Sequence, residues 1–86
     1  MKRICKFKFD KSVEVGFLEQ ELLKSILTSE DVYGRLSVEI STSYWISGNE
    51  ICLDVSNEIG RHTFCVFAGR LNRKIGKELY SYKTED

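Results

Sequence analysis

Apolar and polar residues alternate at the start of the chain. Over residues 3–9, Cys5, Phe7 and Phe9 share one face and Lys6 and Lys8 the other. A period of two with one polar face predicts a half-buried strand. Asp10 or Ser12 can then cap the following element. From residue 13 the period lengthens. Val15, Leu18, Leu22, Ile26 and Tyr33 fall on one side at steps of three, four, four and seven, which predicts a single helix over 13–33 ending at Gly34. Glu14, Glu19 and Glu21 lie in its first turns, the positive end of the helix dipole. Leu23 and Leu27 widen the apolar arc on one flank. The helix therefore either lies deep against a sheet or also meets a partner.

Alternation returns over 35–46. Leu36, Val38, Ile40, Tyr44 and Ile46 point one way and Ser37, Glu39, Ser41, Ser43 and Trp45 the other, which predicts a second strand. Gly48-Asn49 suits a type II′ hairpin turn. In that register Ser47 faces Glu50, Ile46 faces Ile51, Tyr44 faces Leu53 and Thr42 faces Val55, so every inward residue meets an inward one. A four-residue loop, Asn57-Glu58-Ile59-Gly60, then brings Val55 opposite His62, Leu53 opposite Phe64 and Ile51 opposite Val66. The result is a three-strand meander. Its outer face lines up Trp45, Cys52 and Cys65, with Phe67 diagonal to Cys52. An apolar strip on a polar sheet face points to a contact surface.

Arg70 to Ile75 read as a short helix closed by Gly76, and residues 78–83 as a last edge strand. The alternative is one longer helix through Gly76 with Leu71, Ile75, Leu79 and Tyr82 as its apolar side. A mid-helix glycine costs about 1 kcal/mol against Ala, which favours the break. The expected fold is a single α+β domain over residues 1–86: an antiparallel sheet of four to five strands with the meander, one long helix on one face, and a short second helix. Its order is β-α-β-β-β-α with a possible C-terminal strand. The expected core is Phe7, Phe9, Leu18, Leu22, Ile26, Leu36, Val38, Ile40, Leu53, Phe64, Val66, Leu71 and Ile75.

Composition adds bounds. Eighty-six residues make one small domain, for which self-association would relieve a modest core. No apolar run reaches the roughly 18 residues that span a membrane. Three cysteines, an odd number with no leader-like start, predict reduced thiols and a cytoplasmic protein. Cys52 and Cys65 are expected as cross-strand neighbours, with a disulfide only in an oxidising compartment. A metal site from Cys5, Cys52, His62 and Cys65 lacks the Cys-x₂-Cys spacing of structural zinc. His62 is the only histidine, and the face assignment separates it from Cys65, so no Cys-His nucleophile pair forms. Asp54, Glu39 and Glu50 are expected on an open sheet face rather than in a cleft. No glycine-rich phosphate loop is present. The expectation is a non-enzymatic chain without cofactor or metal.

The zero net charge conceals segregation. Residues 1–11 carry five bases against Asp10, net +4, while residues 12–58 carry nine acids against Lys24 and Arg35, net −7. Residues 59–77 carry five bases and no acid. Segregated charge bears on partners rather than fold. Arg70, Arg73 and Lys77 recur at helical steps with Lys74 beside them, a pattern that can contact phosphates. The order helix, three strands, helix over 13–77, with basic residues opening the last helix, resembles the double-stranded-RNA-binding domain; that resemblance implies contact with a nucleic-acid backbone through this run. On an edge strand, Lys6 and Lys8 would discourage sheet-to-sheet aggregation. Near the basic helix they would enlarge its patch. Two functions follow: an interaction module that forms a homodimer, or meets another protein, through Trp45, Cys52, Cys65 and Phe67; or a nucleic-acid binder using Arg70, Arg73, Lys74 and Lys77.

Overall fold

A computed structural model of the chain describes residues 2–85. Its elements are strand β1 (Ile4–Phe9), helix α1 (Val15–Tyr33), helix α2 (Arg35–Ser41), strands β2 (Tyr44–Ser47) and β3 (Glu50–Asp54), helix α3 (Glu58–Lys74), a 3₁₀ turn (Lys77–Leu79) and strand β4 (Tyr80–Glu85). The fold is α+β with a four-stranded antiparallel sheet in the order β2-β3-β1-β4. Each β-α-β unit is split by a strand of the other: β3 lies between β1 and β2, and β1 between β3 and β4. This is the split β-α-β connectivity.

The hairpin forms as its register predicts, with Ser47 opposite Glu50, Ile46 opposite Ile51 and Tyr44 opposite Leu53. Gly48 has φ +59° and Asn49 is not left-handed, the combination of a type II′ rather than a type I′ turn. The long helix ends at Gly34, whose φ of +88° suits glycine. The break at Gly76, φ +81°, also forms, and residues 80–85 make an edge strand against β1.

Three expectations are overturned. Residues 35–41 are helix α2 rather than the start of a strand. Of its apolar residues only Val38 is buried, while Leu36 and Ile40, expected in the core, are 70% and 76% exposed. The Arg35–Glu39 ion pair at 3.0 Å, four residues apart, is a helical contact. Residues 58–74 are helix α3, not a third meander strand followed by a short helix. Asn57 is its N-cap, accepting from the Gly60 backbone N–H at 2.7 Å, and its buried residues Gly60, Thr63, Phe67 and Leu71 recur at steps of three and four. Finally, β1 is not an edge. It takes the place beside β3 expected for 61–67, with Cys5 opposite Leu53 and Phe7 opposite Ile51. The element order is therefore β-α-α-β-β-α-β, and the resemblance to the double-stranded-RNA-binding domain loses the element order that carried it.

The core lies between the helices and one face of the sheet. Cys5, Phe7, Phe9, Ile51, Leu53 and Val55 meet Leu18 and Leu22 of α1 and Phe67 and Leu71 of α3. Ile26, Phe64 and Ile75 are partly buried against this cluster, and Val66 is half-buried. Phe7 is its hub, edge-on to Phe67 with ring centroids at 5.0 Å and tilted toward Phe64 at 5.7 Å. Such ring pairs add about 0.5–1.5 kcal/mol beyond area burial. Gly60 fixes the approach of α3: a Cβ there would lie 2.2 Å from the Asp54 backbone oxygen. No side chain fits, which is why a glycine stands in the first turn of this helix.

Candidate functional site

Side chains point alternately from a strand, so the face of the sheet opposite the helices carries Ile4, Lys6 and Lys8 from β1, Trp45 and Ser47 from β2, Glu50, Cys52 and Asp54 from β3, and Ser81, Lys83 and Glu85 from β4. Trp45 and Cys52 are cross-strand neighbours there, as expected. Cys65 and Phe67 do not join them, because both belong to α3 on the other side of the sheet. Cys65 is exposed on the helix and Phe67 is fully buried against Phe7. The four-residue strip is thus reduced to Trp45, 45% exposed, beside a nearly buried Cys52. Burial pushes the Cys52 thiol up against the opposing pull of Lys6. All three cysteines are free, and a Cys52–Cys65 disulfide is excluded by their placement on opposite sides of the sheet.

The basic run also divides. Arg70 reaches back to α1, where its Nε donates to Glu21 Oε1 at 2.9 Å. Burial pushes the Glu21 carboxyl up, but the Arg70 hydrogen bond and charge, with Lys24 and Lys74, hold it below the usual carboxylate range. Arg73 and Lys74 sit in the last turn of α3, where cations complement the helix dipole, and Lys77 in the 3₁₀ turn. Lys6 and Lys8 lie on the face of the sheet away from α3, so the two basic segments do not merge.

Between α1 and α3 runs a polar seam. Ser29 Oγ contacts His62 Nδ1 at 2.9 Å and Thr63 Oγ1 at 2.8 Å, and Tyr33 packs edge-on to the His62 ring. A serine beside a histidine is the first requirement of a nucleophile pair. Ser29 is wholly buried, however, so its hydroxyl meets no substrate; it joins the two helices instead. Among the described residues no three His, Cys, Asp or Glu side chains come together to hold a metal, and no helix is long and apolar enough to cross a membrane.

Two features stand out once these are placed. The first is the outer side of α1 and α2. Leu23 and Leu27 lie one turn apart on the side of α1 away from Leu18, 43% and 58% exposed. Leu36 and Ile40 lie one turn apart, opposite the buried Val38. Leu23 and Leu27 were legible as surplus apolar surface. Leu36 and Ile40 were not, because their alternation with Val38 fits a strand equally well. The second is a cavity of about 260 Å³ where the start of β1 meets α3, lined by Arg3, Cys5, Val55, Arg61, Phe64, Cys65 and Thr84. It joins residues about sixty positions apart, and no local pattern announces it. Comparison with known protein families, curated proteins and solved structures returns no match.

Proposed function

We propose that this chain is a non-enzymatic interaction module that pairs with a second copy of itself through the outer side of α1 and α2, rather than through the sheet strip. The exposure of four large aliphatic side chains on helices whose opposite sides are already packed carries the reading. Fully burying an exposed Leu or Ile is worth about 1.5–3 kcal/mol and these are part-covered already, so each contributes a fraction of that, and exposed apolar surface of this kind commonly marks a protein contact. A second copy suits the surface because a two-fold axis sets the same apolar patch against itself. The zero net charge leaves little repulsion between copies. Light scattering during size exclusion tests the reading. The wild type is expected at dimer mass in low and moderate salt, Leu27→Glu and Ile40→Glu at monomer mass, and Trp45→Ser unchanged. A monomeric wild type, or dimers that survive both glutamates, would refute it.

The nucleic-acid reading retains the exposed Arg73, Lys74 and Lys77, with Arg70 committed to Glu21. It predicts binding to a duplex at low salt that falls steeply as salt rises. Such binding by a wild-type monomer would favour it over self-association.

A further inference from the structure

We infer that the cavity between the start of β1 and α3 is a binding site for a small organic anion, a carboxylate on an apolar body. Its interior is apolar: Val55 and Phe64 form walls and the fully buried Cys5 side chain faces it. Burial pushes the Cys5 thiol up to about 11 against the pull of its Thr84 hydrogen bond, so it stays neutral near pH 7 and presents no charge to an anion. Among the described residues no carboxylate lines the space. At the rim stands Arg61, whose Nη1 donates to the Val55 and Ser56 carbonyls at 3.4 and 3.3 Å. These long contacts orient the guanidinium without neutralising it, and among the described residues it forms no ion pair. A guanidinium fork matches a carboxylate through two parallel N–H bonds.

The rim is built in advance. The Arg3 backbone N–H donates to Ser56 Oγ at 2.6 Å, and the Arg3 carbonyl accepts from the Val55 N–H at 2.9 Å. These bonds tie the start of β1 to the connection between β3 and α3, next to the first turn of α3 that carries Arg61. A preformed apolar pocket with a few convergent polar groups is the usual form of a small-molecule site. At about 260 Å³ it is smaller than the sites of drug-sized ligands, which limits the ligand to a short chain or a single ring.

The exposed Cys65 on the same rim is a built-in reporter, since Cys5 and Cys52 are buried. The experiment follows alkylation of Cys65 by iodoacetamide, read by mass, in the intact chain with octanoate as the probe. Octanoate is expected to slow the reaction in a saturable way by fivefold or more, while octylamine and inorganic phosphate do not. Arg61→Met is expected to raise the half-protecting octanoate concentration at least tenfold. Because Arg61 is exposed, this variant is expected to keep the wild-type fold, which a far-UV spectrum and thermal melt check directly. No saturable protection, equal protection by octanol, or an unchanged half-point in folded Arg61→Met would each overturn the assignment.

Discussion

Each long side of helix α1 carries residues of the wrong polarity for its surroundings. The buried side carries Leu18 and Leu22, yet it also presents Glu21, Ser25 and Ser29. The side turned to solvent presents Leu23 and Leu27. A helix that packed only by hydrophobic burial would show neither exception. The buried polar groups persist because each finds a partner: Glu21 holds Arg70, Ser25 Oγ donates to the Glu21 carbonyl, and Ser29 links to Thr63 and His62. Satisfied polar groups in a buried seam add specificity of alignment, and small side chains let the helices approach. The exposed leucines have no such account within one chain. The contrast separates what holds the monomer together from the apolar surface that the monomer leaves uncovered.

The largest expected effect on this contrast comes from the seam. Arg70→Met should leave the Glu21 carboxylate buried without its main partner and cost about 3 kcal/mol in urea unfolding, since breaking a buried pair strands the remaining charge. Lys24, at 3.6 Å from Glu21, tempers the loss. A cost below about 1 kcal/mol would mean that the seam is ornamental.

The acid limb of stability gives a sharper view of the same pair. The Glu21 carboxyl is held below its usual value in the fold, so its contribution is complete above the unfolded pKa and disappears as pH falls through the folded one. The stability gap between wild type and Glu21→Gln should therefore be constant above about pH 5 and narrow below about pH 4, given an unperturbed Glu near 4.3. A gap that ignored pH would assign the effect to packing. Asp10 and Asp54, lowered first by their Ser12 and Ser56 side-chain hydrogen bonds, slope the same way in both proteins and cancel in the difference.

The smallest effect is expected on the outer side. Leu27→Ser should change monomer stability by no more than about 0.5 kcal/mol, because the side chain is already more than half exposed. Unfolding at concentrations where the wild type is monomeric makes this measurement. A large loss there would show that Leu27 serves the fold rather than an assembly.

Much of this was legible in the order of residues, wherever one pattern had one structural answer. Four inward residues of the β2–β3 hairpin, Tyr44 with Leu53 and Ile46 with Ile51, meet in pairs only in the register set by Gly48, since a slip of one turns every side chain to the other face. Gly34 and Gly76 mark ends because their φ values are ones that other residues avoid. Leu36-Ser37-Val38 has no single answer: seven residues of alternation fit a strand, and the four-residue spacing of Arg35 and Glu39 fits a helix. Residues 58–74 did carry a helical signal in the Asn57 cap, Glu58 in the first turn, and the recurrence of Gly60, Thr63, Phe67 and Leu71. It was masked by an alternation of similar strength. The rim of the cavity, set by Arg3 and Arg61, was not legible at all.

The sequence by itself determined the local grammar: the alternation of β1, the long period of α1, the hairpin and its turn type, and the stops at Gly34 and Gly76. These depend on backbone sterics and on contacts within a few residues. The tertiary structure alone decided that β1, rather than 61–67, lies beside β3, and with it the polar seam, the exposed leucines and the arginine-rimmed cavity. An open strand edge accepts any strand of matching pattern. The choice falls to the arrangement that lets α1 and α3 bury one common core.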